Sequence, residues 1–299
     1  MVASLVFLAR RLFQSRADID MAVLISGTVV AGLLIVAMFE GIGILLAAAN
    51  FRALVNNVSG VPVAKPLAFV VYTLSNLYKY IPGGVMYVVG RNRLAVETEE
   101  LSHPKVALST VLEGIIIAIA AIVIVIVTVF DHAVEYIRQE VELPANFAVV
   151  MLVILALIGL TVYVLRKKIA IGLKKLFDHM QLLRWTVLIK RFGFGLMLMT
   201  LWGGTFLATL LVMGQDMAPG LGPVVIGLFL LAWLAGFLTP GAPSGLGVRE
   251  FVMLMFMGGI LNEGILISAM FMHRIVAATG DIAAYGVAVG YSHLTKPQQ

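Results

Sequence analysis

The chain has 299 residues, of which 61% are hydrophobic and 12% charged, and its mean hydropathy is +1.03. Soluble domains average about 45–50% apolar and 25% charged residues, and a soluble protein could not cover its surface with so few charges. The composition therefore predicts an integral membrane protein. The chain contains no cysteine, which excludes disulfide frameworks, redox thiols and metal sites with cysteine ligands.

The apolar runs predict an all-α fold, a polytopic transmembrane helical bundle with two broken or re-entrant helices and an internal repeat. About 20 apolar residues cross the hydrocarbon of a bilayer, and such long runs exclude a β-barrel, whose strands alternate over about ten residues. We treat residues 1–299 as one membrane domain. Regular spans are predicted at 22–49, 106–130, 147–165, 189–213 and 265–291, and less regular apolar segments at 67–96 and 223–260.

The first apolar stretch of the chain is too short to span a membrane. Leu5, Leu8, Leu12 and Phe13 share one helical face, with arginines opposite, which is typical of a helix lying in the membrane interface. The arginines follow this stretch and no small-residue cleavage site is present, so a signal peptide is not expected.

Charge predicts the topology. Residues 166–191 hold eight basic residues against Asp178, a net charge of +7, which places this segment in the cytoplasm by the positive-inside rule. It is either a basic interfacial helix on anionic lipid or an ordinary cytoplasmic loop. The acidic loop 131–145 is predicted outside. If segment 223–260 crosses the membrane once, the chain has seven spans and its C-terminus is outside. If the segment forms a hairpin, the chain has eight spans and its C-terminus is inside.

Two proline- and glycine-rich stretches interrupt the less regular segments. Only 15 residues separate the start of the apolar run at Leu67 from the first stretch, a helix of about 22 Å, which is shorter than the hydrocarbon thickness. We therefore expect the helices to break inside the membrane. The predicted helix-break residues are Pro82, Gly83 and Gly84, and then Pro240, Gly241, Gly245 and Gly247.

The two stretches indicate a duplicated architecture with approximate halves at 22–165 and 189–291. Pro82 precedes Arg91 by nine residues, and Pro240 precedes Arg249 by nine. Paired broken helices at matching places in two halves are typical of a transport site near the midplane. The alternative is a chance likeness between apolar segments.

Charges inside a membrane cost at least about 2.5–3.5 kcal/mol each, so each needs a partner or a function. Asp281 follows Arg274 by two helical turns and faces the same side, so the acids and bases can neutralise one another. For Glu40, beside Gly41 and without a motif, such a structural role is favoured. The candidates are Glu40, Lys79, Arg91, Glu113, Arg249, Glu250, Arg274 and Asp281.

Arg91 and Arg249 are the predicted phosphate ligands. Each follows a glycine break at which we expect a new half-helix to begin, and the free N–H groups and positive end of a helix favour an anion there. The alternative is that Arg249 only pairs with a buried acid such as Glu113.

Other chemistry finds little support in the sequence. Ser244 is one residue off the G-x-S-G spacing that would suit an intramembrane serine protease with His273. The histidines lack metal-ligand spacing, no P-loop is present, and the basic stretch is juxtamembrane and lacks the interleaved stacking aromatics of a nucleic-acid site. We therefore expect no metal, no cofactor, no ATP hydrolysis and no nucleic-acid partner.

Two motifs and three single charges carry a resemblance to a known family. They are Tyr80-Ile81-Pro82-Gly83-Gly84, Pro243-Ser244-Gly245-Leu246-Gly247-Val248-Arg249-Glu250, and Arg91, Glu113 and Arg274. In these residues the chain is similar to the transmembrane domain of lysylphosphatidylglycerol synthase/flippase proteins, a family that includes archaeal proteins joined to a dolichol-phosphate glycosyltransferase. Ser244 stands where the family commonly has glycine.

The resemblance implies a flippase-like protein that moves an anionic phospholipid or a polyprenyl-phosphate-linked sugar between leaflets. It implies a multi-pass protein of the cytoplasmic membrane of a prokaryote, with membrane lipids and a glycosyltransferase or other envelope-synthesis enzyme as partners. A proton gradient acting through Glu113 or Asp281 is a possible drive. The implied phosphate-binding residues are Lys79, Arg91, Ser244 and Arg249, and the implied ion pairs that exchange partners involve Glu113, Glu250, Arg274 and Asp281.

Two other functions stay open on the sequence alone. One is a non-transporting membrane partner of a glycosyltransferase. The other is a membrane-embedded enzyme acting on lipid-linked sugars, which is disfavoured because no nucleophile and base pair is recognisable. We expect no enzymatic activity.

Overall fold

The computed structural model describes residues 26–81, 86–98, 101–138, 185–239, 245, 247–258 and 261–295. Within these ranges the secondary structure is helical, and no strand is present. The all-α prediction is confirmed. The helices are α1 Gly27–Ser59, α2 Lys65–Leu77, α3 Met86–Arg91, α4 Arg93–Glu97, α5 His103–Arg138, α6 Trp185–Val212, α7 Leu221–Leu238, α8 Val248–Met257 and α9 Glu263–Leu294, with a 3₁₀ turn at Tyr78–Tyr80.

Five of the described helices are long and apolar enough to cross a membrane. These segments are Gly27–Ser59, His103–Val129, Trp185–Val212, Leu221–Leu238 and Gly264–Leu294. They make the chain a multi-pass membrane protein and coincide with four of the regular spans predicted from the sequence. The fifth, α7, opens the less regular segment 223–260.

The remaining described helices are too short to cross. Helix α2 has 13 residues and α8 has 10, which correspond to about 20 Å and 15 Å against about 30 Å of hydrocarbon. The segment 67–96 is therefore not one helix, because α2, the 3₁₀ turn, α3 and α4 follow one another within it.

Several sequence predictions fall outside the described residues. They concern the interfacial helix with Leu5, Leu8, Leu12 and Phe13, the span 147–165, most of the basic segment 166–191, Ser244, and the break residues Pro82, Gly83, Gly84, Pro240 and Gly241. The helix breaks at membrane depth and the internal repeat stay predictions.

Contacts divide the chain into two units, one of residues 1–129 and 189–299 and the other of residues 130–188. The helix ends in the first unit follow from local chemistry. Gly60 ends α1 with φ of 74° and donates its N–H to Asn56 O, a left-handed cap that glycine adopts at little cost. Asn262 starts α9, because its Oδ1 accepts the N–H of Gly264 at 2.8 Å.

Helices α1 and α9 cross at two glycines. A Cβ on Gly41 would lie 3.0 Å from Gly280 O, and a Cβ on Gly280 would lie 2.6 Å from Glu40 Cβ. Small residues at a crossing let membrane helices approach to backbone contact. This close approach brings the neighbouring residues Glu40 and Asp281 into the interior of the first unit, where both are buried.

Candidate functional site

The first unit contains two clusters of charged side chains that are buried or partly buried. The Arg91 cluster consists of Tyr72, Tyr87, Arg91 and Glu113. The central cluster consists of Glu40, Lys79, Arg249, Glu250, His273, Arg274 and Asp281.

Arg91 is enclosed and neutralised. It is 5% exposed, its Nη1 donates to Glu113 Oε2, and Glu113 Oε1 accepts the hydroxyl of Tyr72 at 3.1 Å. The guanidinium carbon lies 4.2, 4.8 and 5.3 Å from the ring centres of Tyr72, Phe51 and Tyr87. A carboxylate and aromatic faces neutralise the cation without a ligand, although its Nε, like that of Arg249, is buried without a hydrogen-bond acceptor.

The position of Arg91 in its helix differs from the expectation. The sequence placed Arg91 at the start of a half-helix, yet it is the last residue of α3, which begins at Met86. The free N–H groups of a helix are at its other end, so the helix dipole there does not add to anion binding.

Asp281 ties α9 to the end of α2 and the turn that follows. Its Oδ1 accepts Asn76 Nδ2 at 2.7 Å, and its Oδ2 accepts the hydroxyl of Tyr80 at 2.6 Å. Lys79 Nζ lies 2.7 Å from the same Oδ2. These three donors fix the chain just before the first proline- and glycine-rich stretch.

Glu250 plays the corresponding part at the start of α8. Its Oε2 accepts the N–H of Gly247 at 2.7 Å, and its Oε1 accepts Arg274 Nε at 2.9 Å and also Arg274 Nη2. Gly247 has φ of 81°, in the region that favours glycine. The carboxylate thus joins the first turn of α8 to α9.

Arg249 lies in a crevice between two glycines. A Cβ on Gly236 would lie 2.9 Å from Arg249 Cγ, and one on Gly245 would lie 2.9 Å from Arg249 Nε. Gly245 also has φ of 70°, so a side chain there is strained on both counts. Only glycine at both positions leaves room for the stem of Arg249.

Arg249 has no carboxylate partner among the described residues. Its Nε is buried without a hydrogen-bond acceptor, and no carboxylate of the described residues lies within ion-pair distance of its guanidinium. It is the second residue of α8, where the first backbone N–H groups of the helix have no intrahelical acceptor. The groups that act on it electrostatically are Arg274, Glu250, Tyr80 and Glu40.

Among the described buried acids, Glu40 has no lysine or arginine partner. Its Oε1 lies 2.6 Å from Thr205 Oγ1 and 3.7 Å from His273 Nε2. His273 Nδ1 lies 3.3 Å from Thr209 Oγ1, and the imidazole meets the rings of Phe206 and Phe229 edge-on. The other described buried acids, Glu113, Glu250 and Asp281, each pair with an arginine or lysine.

The structure thus distributes the predicted site residues unequally. Arg91 and Arg249, proposed together from their matching spacing, belong to different clusters. Glu113 pairs with Arg91, not with Arg249, and Asp281 and Arg274 take partners from other elements and not each other. Of the predicted phosphate ligands that the structure describes, Lys79 and Arg91 are paired with acids and Arg249 is not.

Sequence reasoning missed the polar partners of Glu40. Thr205 and Thr209 were not among its candidates, and His273 was considered only with Ser244 as part of a serine protease, although a usable signal was present. A histidine within an apolar span is rare and usually functional, and the two threonines recur at i and i+4, which places them on one face of α6.

A cavity of about 360 Å³ lies elsewhere in the described part of the chain. Residues of α2, α4 and the end of α9 line it, among them Leu67, Val71, Arg93 and Ser292. It shares no lining residue with either charge cluster, so it does not bear on the chemistry of Arg249 or Glu40.

No protein-family model matches the chain, and no match is found among curated proteins or solved structures. The resemblance to lysylphosphatidylglycerol synthase/flippase proteins therefore stays a prediction. The function of the chain has to be inferred from the geometry of the two clusters.

Proposed function

We propose that this protein moves a lipid with a phosphate-bearing headgroup between the leaflets of the membrane, and that Arg249 holds the phosphate. The observation that carries the proposal is a guanidinium placed among membrane helices with no carboxylate partner among the described residues. A charge in that position is costly. A phosphate that arrives with the substrate supplies the missing counter-charge.

The chemistry of Arg249 suits a phosphate better than a simple counter-ion. Arginine presents a planar fork of donors that meets two phosphate oxygens at once. Here the fork belongs to the second residue of α8, and the backbone N–H groups of that first turn also favour an anion, apart from that of Gly247, which Glu250 already accepts. Anionic phospholipids and polyprenyl-phosphate-linked sugars share this phosphate, and both are candidate substrates.

The neighbourhood of Arg249 also suits a lipid tail. Phe237 and Leu238, which follow Gly236 on α7, are exposed, and so is Phe251, two residues after Arg249 on α8. In a membrane these apolar surfaces contact lipid. A headgroup at Arg249 can therefore keep its chains in the hydrocarbon, which is the geometry that lipid translocation requires.

Lys79 and Arg91 have secondary parts in this proposal. Lys79 is about one-third exposed and is bound to Asp281, so it can reach a headgroup only by leaving that acid. Arg91 is sealed by Glu113 and three aromatic rings, and we assign it to the stability of α3 against α5. The cytoplasmic membrane of a prokaryote, with a glycosyltransferase or other envelope-synthesis enzyme nearby, is the setting we propose.

The test uses the full chain in liposomes. Fluorescent phospholipids with anionic and zwitterionic headgroups, and a polyprenyl phosphate, are followed from the inner to the outer leaflet. We expect translocation of the anionic lipids, and Arg249→Gln should raise the lipid concentration that gives half-maximal translocation by about ten- to 150-fold, from about 1.5–3 kcal/mol for a charge-assisted contact.

The matched control is Arg93→Gln, because Arg93 is an exposed arginine whose acidic partner among the described residues is Glu97. It should translocate like the wild type. Normal translocation by a folded Arg249→Gln protein would contradict the role of Arg249. A wild-type protein that moves no lipid on its own would contradict the proposed function and favour a non-transporting partner of an enzyme.

A further inference from the structure

The network around Glu40 has a feature that the ion pairs lack. Glu40 lies on α1, is 6% exposed, and has only a histidine as its basic neighbour within 4 Å among the described residues. A buried carboxylate without a fixed cation is expensive in a membrane. A carboxyl group that can accept a proton avoids that cost.

The hydrogen bonds around Glu40 fit both of its protonation states. Thr205 Oγ1 has one hydrogen, yet it lies 2.6 Å from Glu40 Oε1 and 2.7 Å from Trp202 O. With Glu40 ionised, the hydroxyl donates to the carboxylate. With Glu40 protonated, the carboxylic acid donates to Thr205, and Thr205 donates to Trp202 O. No heavy atom needs to move between the two.

The same hydrogen count assigns the tautomer of His273. Thr209 Oγ1 donates its one hydrogen to Thr205 O at 2.8 Å, so it accepts from His273 Nδ1 at 3.3 Å. Neutral imidazole then has its lone pair on Nε2, which lies 3.7 Å from Glu40 Oε1. A proton held by Glu40 therefore has a second acceptor beside it.

The polar and charged groups that act on this pair lie in two other elements and on α9, the helix that also holds His273. Lys79 and Tyr80 are in the turn after α2, Arg249 is on α8, and Asp281 is on α9. Arg274 also acts on His273. Lys79 and Asp281 pair with each other, and Arg274 pairs with Glu250. The unbalanced charges are therefore Arg249 and, when ionised, Glu40.

We infer that Glu40 and His273 form an intramembrane proton-binding site, and that a proton at Glu40 and a lipid phosphate at Arg249 are bound together. The inference rests on the proposed function. The reaction is simple: a proton from water joins the Glu40 carboxylate to give the carboxylic acid, and it is released when the phosphate leaves.

The coupling follows from charge. Glu40 and Arg249 act on each other electrostatically, although they are not an ion pair. A phosphate at Arg249 adds negative charge near Glu40, which disfavours the ionised carboxylate and favours the protonated form. Linkage is reciprocal, so protonation of Glu40 must strengthen phosphate binding by the same factor. A pH gradient then drives lipid movement, with proton and lipid crossing in the same direction.

The test uses phosphatidylcholine liposomes that contain the full chain and fluorescent phosphatidylglycerol. Translocation is measured without a pH gradient and with a gradient of either sign. In the wild type we expect the two signs to differ by roughly fivefold or more, the lower end of typical coupling between sites. Glu40→Gln should translocate at one rate under all three conditions. The control Glu97→Gln changes an exposed acid and should respond like the wild type.

The outcomes separate the two proposals. A wild type that translocates but ignores the gradient overturns the coupling and leaves the proposed function intact, and so does a Glu40→Gln protein that keeps the wild-type response. A wild type that moves no lipid overturns the proposed function, and with it the coupling.

Protonation of Glu40 is measured separately, by infrared spectroscopy of the protein without a transport assay. The infrared carbonyl band of a protonated carboxyl should titrate away as the pH rises, and Glu40→Gln should remove it while Glu97→Gln does not. If Glu40→Gln does not fold, Thr205→Val should shift that band, because it removes the hydroxyl that contacts Glu40. A band that neither variant changes, or no such band, overturns the proton site.

Discussion

The glycine crevice around Arg249 is tested by adding a single methyl group. In Gly236→Ala the new Cβ would lie 2.9 Å from Gly245 Cα, 2.9 Å from Arg249 Cγ and 3.1 Å from Arg249 Nε. The first is a backbone atom of Gly245, and the other two belong to the side chain of Arg249. Either the start of α8 or the stem of Arg249 must move.

The expected magnitude comes from a matched pair of variants. Overpacking costs about 1–3 kcal/mol, whereas alanine gains about 0.8–1 kcal/mol over glycine inside a helix. Gly286→Ala, on α9, has nothing within 4 Å of the new Cβ and should show only the gain. The gain in helix propensity is the same in both variants. Gly236→Ala should therefore be less stable than Gly286→Ala by the cost of overpacking alone, about 1–3 kcal/mol.

The assay is thermal unfolding of both variants in the same detergent, with the wild type alongside. We expect Gly286→Ala to unfold at or above the wild-type temperature and Gly236→Ala below it. Binding of an anionic phospholipid should weaken in Gly236→Ala alone, because Arg249 is displaced. If Gly236→Ala is as stable as Gly286→Ala, the packing argument for the crevice is wrong.

Two further predictions concern the Arg91 cluster and the topology. Arg91→Gln alone should lower the free energy of unfolding by about 3–5 kcal/mol, because it leaves the buried Glu113 carboxylate without its partner. The double variant with Glu113→Gln should recover most of that stability in thermal unfolding, and equal losses in the single and double variants would refute the pairing. Single cysteines at Glu140 and Lys174 should react with an impermeant thiol reagent from opposite sides of the membrane, Glu140 from outside. Labelling of both from the same side would contradict the charge-based topology. A cysteine at Gln298 labels from outside if the chain has seven spans and from inside if it has eight.

The spans could be predicted because each depends on local composition. About 20 apolar residues in a row admit little besides a membrane helix, and the span predicted at 265–291 lies within α9, Glu263–Leu294. The predicted end of the first span at residue 49 was too early, since α1 continues to Ser59. The extra turns hold Arg52, Asn56 and Asn57, whose polarity hides the helix from a hydropathy criterion.

The partners in the charge clusters could not be predicted, because they depend on packing between distant segments. Asp281 accepts a hydrogen bond from Tyr80, 201 positions away, and Glu40 meets Thr205, 165 positions away. The sequence offered Arg274 and Asp281 as neighbours on one helix. In the structure Arg274 pairs with Glu250 and Asp281 pairs with Lys79, because α8 brings Glu250 to α9 and the turn after α2 brings Lys79 to it.

The matching spacing of Arg91 and Arg249 predicted equivalent roles that the structure does not show. Each arginine lies nine positions after its proline. However, Arg91 is the last residue of α3, whereas Arg249 is the second residue of α8. The difference is where the helix resumes: α3 begins at Met86, and α8 begins at Val248. Sequence spacing does not reveal the position of a residue within its helix. That position differs between Arg91, which is paired with Glu113, and Arg249, which has no carboxylate partner among the described residues.

The most direct measurement for the central claim is the affinity of the purified full chain for an anionic phospholipid, in the wild type, Arg249→Gln and Arg249→Lys. We expect a loss of about ten- to 150-fold in Arg249→Gln and an intermediate loss in Arg249→Lys, because lysine keeps the charge without the bidentate fork. Thermal stability should stay near that of the wild type in both, since no acid is stranded. Unchanged affinity in a folded Arg249→Gln protein would contradict the account.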